Sequence, residues 1–266
     1  MTDIRLADVS EFQPSLDADA YLKAGHKAII ARSHNGYRPD HTFPARRDYL
    51  RSKPFTAVGY YQYLAADRDP QAQAYDYIKG LGNLKANEFP ILDHEEGSGD
   101  QTHRARAWFQ IVDPWCGYKA TLYAGLYFLR DQLGGAGNWP GRPLWIAAYG
   151  QSEPAAPHML WQYTDSARFP GLAGGVDGSI HHGTAAGLLA AARQGAAPKP
   201  RPTGAIVAIA AGLAADGTLH VFYEAKDGSV WFTYQKKGDT TWQGGAKGKS
   251  VAALKPFAPK PGAAKK

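Results

Sequence analysis

Cysteine is all but missing. Cys116 is the only one in 266 residues, so no disulfide can form within the chain and nothing marks an oxidising compartment. It sits in DPWCG at an expected helix end, where a buried, inert thiol is the plain reading. Long apolar runs are missing too: no stretch approaches the roughly 20 residues of a membrane-spanning helix, which excludes membrane insertion of that kind. The opening MTDIRLADVS has no basic segment leading into an apolar one, so no signal peptide is expected. His34, His94, His181 and His182 have no spacing that gathers three metal ligands, and no metal or cofactor is expected. A basic stripe for nucleic acid is absent over most of the length. Residues 1–195 carry 19 Lys/Arg against 20 Asp/Glu and residues 196–266 carry 11 against 4, so the balances of −1 and +7 place the net +6 in the tail. Nucleic acid is therefore not an expected partner; the tail's charge suits an anionic polymer or surface.

What remains is a soluble, globular composition, 44% hydrophobic and 20% charged, with strand-like and helix-like segments alternating from the start. Ile4 to Val9 reads as a strand, then a helix follows with Ser15 as cap and Gly25 as stop. KAIIARS, AVGYYQYL, FPILDHE and TLYA read as strands two to five, each followed by a helix. LWIAAY, MLWQY and the strand from Val176 to Ile180 are joined only by loops rich in Gly, Pro and Ala. Five strand–helix units and three further strands give eight strands, a largely parallel sheet able to close as a TIM-like (β/α)5(β)3 barrel in the α/β class. A helix from Thr184 to Arg193 closes this domain, residues 1–195. A Pro-rich basic linker follows, 196–204, then a small antiparallel β unit, 205–258, with hairpin turns expected at Asp216-Gly217 and Asp227-Gly228. Residues 259–266 form a basic tail.

FPILDHEE is the stretch with the clearest chemical content. Side chains alternate along a strand, so Asp93 and Glu95 share one face, about 7 Å apart, and His94 faces the other way. Two carboxyls on one face repel each other when both are ionised, so one is expected to hold its proton near neutral pH. A protonated carboxyl beside an ionised one is equipment for cleaving a glycosidic bond; an acidic pair at a strand end is also an ordinary solvated loop start. Registry favours the first reading. Asp8, Tyr61, Asp93, Glu95, Tyr149, Gln162 and Asp177 all fall near expected C-terminal strand ends, where such barrels place their chemistry. Asp8 as a loop cap and Asp177 as a turn residue are the plainer alternatives. Tyr61, Tyr63, Trp145 and Trp161 divide between core and sugar platforms. His181 and His182 read as loop histidines, and Glu96 as structural.

The segments ADVSEFQPSLD, VGYYQYLA, FPILDHEE, RPLWIAAYG, MLWQYTD and GGVDGSIHHG, in this order, resemble the family 25 glycoside hydrolases, the Chalaropsis-type lysozymes that cut bacterial peptidoglycan. Gln62 stands where that family more often has His, and Ser179 where it more often has Asn. The resemblance implies a muramidase needing no cofactor, with Glu95 as general acid and Asp93, Asp8 and Asp177 as the other cleft carboxylates. It implies Tyr61, Tyr63, Trp145, Tyr149, Trp161 and Gln162 as substrate-binding groups. An ionised Asp93 would steady the oxocarbenium-like centre or orient the 2-acetamido group. The implied partner is peptidoglycan, and the implied setting is a phage endolysin held in the host cytoplasm until released to the wall. A related glycosidase acting on chitin and a non-catalytic wall-binding protein on the same scaffold are the rival readings. DGTLHVF and KDGSVWFTYQ resemble one blade of propeller-type lectins, and the tail's charge suits anionic wall polymers.

Overall fold

A computed structural model of the chain describes residues 3–194 and, beyond them, the strands 206–213, 219–225 and 230–235. Contacts divide the chain into two units, residues 1–198 and 199–266.

Eight strands of the first unit close into a barrel in chain order: β1 (Ile4–Val9), β2 (Ala28–His34), β3 (Ala57–Tyr63), β4 (Glu88–Asp93), β5 (Thr121–Gly125), β6 (Leu144–Ala147), β7 (Leu160–Ala167) and β8 (Val176–His181). Helices α1 (Ala18–Lys23), α2 (Phe43–Arg51), α3 (Pro70–Leu81), α4 (Thr102–Cys116) and α5 (Leu126–Asp131) follow the first five strands. β1 to β7 run parallel to one another, a largely parallel sheet as expected. β8 does not: it pairs antiparallel with both β7 and β1. Asp177 is therefore not at the C-terminal strand end that its spacing suggested. Asp177 lies near the start of β8, and it reaches the mouth because the strand runs backwards, aligned with Asp8 across the ladder.

Alternation along β3 separates two cores. Ala57 and Tyr61 face the barrel interior with Ile30, Phe89, Ile91 and Trp145, while Val58 and Tyr60 face the helices. Gly59 faces inward as well, and a Cβ there would meet Ile91 Cδ1 at 2.8 Å and Ile30 Cγ1 at 2.9 Å. Only a bare backbone fits between those strands. Helix α6 (Ala185–Ala192), capped by the Thr184 hydroxyl accepting from Gly187 N, lays Leu188 and Ala192 among the interior residues at the N-terminal ends of the strands. It is the floor of the barrel.

Two local expectations shift. α1 begins at Ala18, not near Ser15, because Asp17 is the cap: its carboxylate accepts from Asp19 N and Ala20 N, both at 3.0 Å. β4 ends at Asp93, so Glu95 stands on the loop beyond the strand. The second unit is a three-stranded antiparallel sheet, β9 (Ile206–Leu213), β10 (Leu219–Ala225) and β11 (Val230–Gln235), with β10 in the centre. The expected linker 196–204, the Asp-Gly turns and the tail 259–266 lie outside the described residues. Among the described residues no helix is long and apolar enough to cross a membrane.

Candidate active site

The mouth of the barrel holds a cleft of about 300 Å³. The strands that reach it contribute inward-facing positions near the mouth, as the two-residue period dictates. Asp8 comes from β1, Arg32 from β2, Tyr61 and Tyr63 from β3, Asp93 from β4 and Tyr123 from β5. Trp145 comes from β6, Gln162 from β7 and Asp177 from β8; Glu95 and Tyr149 stand on the loops after β4 and β6. All four expected carboxyls are therefore brought together, with five of the six expected binding groups.

The exception is Trp161. Gln162 points into the barrel, so its neighbour on the strand points out, where Trp161 donates its indole N–H to Ala148 O at 3.1 Å and packs its ring 5.9 Å from Tyr163. Trp145 lines the cleft but is buried in its floor, donating to Ser179 Oγ at 3.0 Å with its ring 4.4 Å from Tyr123. Ser179 is thus a partner of that indole. Gln62 faces away from the cleft and accepts from the Trp108 indole at 2.7 Å. Glu96 accepts from Tyr63 Oη and Ala66 N, both at 3.2 Å, tying two mouth loops. His181 and His182 lie at the far end of β8 from the cleft. There His181 Nδ1 pairs with Met159 O at 2.9 Å, and His182 sits between Asp3 at 2.9 Å and Glu153 at 2.8 Å.

Gln162 organises the centre. Its Nε2 donates to Asp8 Oδ2 at 2.9 Å, and its Oε1 accepts from Tyr123 Oη and Tyr149 Oη, both at 2.7 Å. Two hydroxyls on one amide oxygen fix the amide's orientation, so its N–H must face Asp8. Asp8 is also hydrogen-bonded to Asp177.

Burial, then the neighbouring Asp177, pushes Asp8 well above the usual carboxylate range. Burial, then Asp165, raises Asp177 as well, with its hydrogen bond to Asp8 opposing. The directions favour Asp8 as the proton donor of the pair and Asp177 as the acceptor. Burial, then Glu95, pushes Asp93 up as well, with Arg32 opposing. Asp93 Oδ1 has no hydrogen-bond partner among the described residues. Burial beside Glu95 and Asp8 thus favours the protonated form of Asp93, the opposite direction from the ionised carboxylate expected. Glu95 is exposed at the cleft surface, yet partial loss of solvation and then Asp177 still raise its carboxyl. His94, between the two acids in sequence, is buried against Phe128 at 5.3 Å and held down to about 4 by burial.

Sequence reasoning missed Arg32, Tyr123 and Phe12. The signal for Arg32 was a charge at the end of an otherwise apolar strand; for Tyr123, its place in TLYA on the inward parity of β5. Among the described residues four large aromatic side chains are exposed, Phe12, Tyr37, Tyr127 and Tyr149, and all four follow C-terminal strand ends. Phe12 and Tyr149 line the cleft. Among the described residues no cluster of three or more His, Cys, Asp or Glu could hold a metal.

A family model, "Glycosyl hydrolases family 25", matches residues 7–172. The chain belongs to glycosyl hydrolase family 25. The autolytic lysozyme of Clostridium acetobutylicum is 25% identical over 176 residues, which is 64% of this chain and 53% of that protein. The chain thus spans about half the length of that relative. A bacterial lysozyme from Streptomyces coelicolor superposes with a TM-score of 0.64 at 22% identity, covering 73% of this chain and 98% of that one. The catalytic domain of an endolysin from a Listeria monocytogenes bacteriophage gives 0.61 at 25% identity, covering 71% and 97%.

Proposed function

We propose that the chain is a peptidoglycan hydrolase, an N-acetylmuramidase that cuts the β-1,4 bond between N-acetylmuramic acid and N-acetylglucosamine. The observation that carries this reading is Glu95: an accessible carboxyl of raised proton affinity beside three more carboxyls, at the mouth of a family 25 barrel. Glu95 delivers its proton to the glycosidic oxygen as the C1–O bond breaks, so the leaving sugar departs as a neutral alcohol. Positive charge then develops at the anomeric carbon, and the carboxyl cluster favours it. Asp177 is the member assigned to remain ionised, its hydrogen bond with Asp8 opposing the upward pull of burial and Asp165. Asp93 orients the substrate's 2-acetamido group as a hydrogen-bond donor.

Three routes complete the reaction: attack by the acetamido oxygen, by an enzyme carboxylate, or by water directly. The first two retain anomeric configuration and the third inverts it, so NMR of the fresh product separates them. The exposed aromatics lining the cleft suit a long glycan lying across the mouth. The 196–266 segment, with its +7 balance, is proposed to hold the enzyme on anionic wall polymers. An endolysin role in lysing a bacterial host is supported by the likeness to the phage endolysin domain.

The test is release of new reducing ends from purified peptidoglycan, labelled with borohydride, by wild type and Glu95→Gln. Muramic acid ends from wild type and almost none from the variant are expected. Glucosamine ends would point to a different bond, and no ends at all to a binding protein.

A further inference from the structure

Among the described residues Arg32 is the one cationic side chain lining the cleft. Its Nε donates to Asp40 at 2.8 and 3.0 Å, and Nη2 donates to Glu11 Oε1 at 3.2 Å. Nη1 has no acceptor among the described residues. Glu11 also takes both Arg38 nitrogens at 2.9 and 3.0 Å and His41 N at 3.2 Å. Arg46 holds the same β1–α1 loop by donating to Ser10 O and Gln13 O. Three guanidiniums, Arg32, Arg38 and Arg46, stand against two carboxylates, Glu11 and Asp40, which leaves one formal positive charge on this side of an otherwise acidic mouth. The same loop presents Phe12, 75% exposed, with the Arg32 guanidinium 5.2 Å from its ring.

In the glycan backbone proposed as substrate, the group that ionises is the carboxyl of the 3-O-lactyl substituent on muramic acid. Beside Asp8, Asp93, Glu95 and Asp177 it would be repelled. We propose that Arg32 reads this lactyl carboxylate through Nη1, with Phe12 covering the lactyl methyl, and so sets which of the two alternating sugars lies on each side of the scissile bond. The inference rests on the muramidase reading above. It has a further consequence. On strands that carry a stem peptide the lactyl carboxyl is an amide, and Nη1 then meets a neutral carbonyl instead of a carboxylate. Hydrogen bonds to charged acceptors are the stronger kind, so peptide-free strands bind better.

The experiment uses the full chain and peptide-free glycan strands in two forms. One keeps the lactyl carboxylate; in the other that group has been reduced to the alcohol. Wild type is expected to prefer the carboxylate form by about 10- to 100-fold in kcat/KM, expressed in KM. Arg32→Gln should lose the preference, the ratio of kcat/KM between the two forms falling to about one whatever its overall rate, and Arg32→Lys should keep part of it. Arg38→Gln, which loosens the loop without touching the cleft cation, should retain the preference. A wild type indifferent to the carboxylate would overturn the proposal, and needs no variant to fold. So would an Arg32→Gln enzyme weakened equally on both forms with its preference intact, since that is the mark of a purely structural arginine. If wild type cut neither form, the muramidase reading itself would fall.

Discussion

At the scale of single residues, the site is arranged so that protons stay where solvent alone would remove them. Glu95→Gln preserves shape and removes the transferable proton, and should lower kcat by about 10² to 10⁴-fold with little change in KM. Because its neighbours raise Glu95, wild-type kcat should fall as pH rises through that raised value, a limb that a steady-state pH profile will show. Asp93 makes the same arrangement costly to stability. Its folded proton affinity exceeds that of the unfolded chain, so stability declines as pH climbs above the unfolded value near 4. Asp93→Asn should therefore melt at a higher temperature than wild type at pH 7, with the gap closing by pH 4, while activity drops. His94 has the opposite sign. The unfolded chain takes up a proton below about 6.5, but the folded ring resists until about 4, so stability drains as pH falls through that window. His94→Leu should recover up to about 3 kcal/mol at the acid end. The difference between the two proteins' melting curves isolates it from His34, which burial also holds down to about 4.

At the scale of elements, the turn between β7 and β8 supports the site from outside. Gly171 has φ +86°, its carbonyl accepts from Asp17 N at 2.8 Å, and a Cβ there would meet Asp17 O at 2.1 Å. Gly171→Ala should cost about 2 kcal/mol or more and lower Tm by several degrees, as calorimetry would report, since it strikes both this turn and the cap of α1. The direction of β8 was the main element hidden from the sequence. A strand's composition does not encode its direction; the connection before it does. With MLWQY expected to end at Tyr163, the gap before Val176 was long enough for a return to the other end of the barrel. β7 in fact continues to Ala167, and the eight residues 168–175 are too few for a parallel crossover. Parity, by contrast, was legible throughout: Tyr61 and Tyr63 face one way, and the same rule applied at Gln162 turns Trp161 outward. Arg32 stayed hidden because its role depends on Glu11 and Asp40, partners on two other loops that only folding brings to it.

At the scale of the whole molecule, the division into residues 1–198 and 199–266 predicts that a chain ended after Pro198 unfolds in one cooperative transition and keeps its rate on soluble glycan strands. Its retention on sedimented walls should fall, and fall most at low salt, where attraction between a basic segment and an anionic polymer is strongest. Asp3 and the end of α6 both lie at the floor, on the opposite side from Glu95, with Asp3 held to His182 and Arg193 to Ala86 O. Within the barrel, these ends stand to the carboxyl cluster as a handle stands to a blade, on the side that does no cutting.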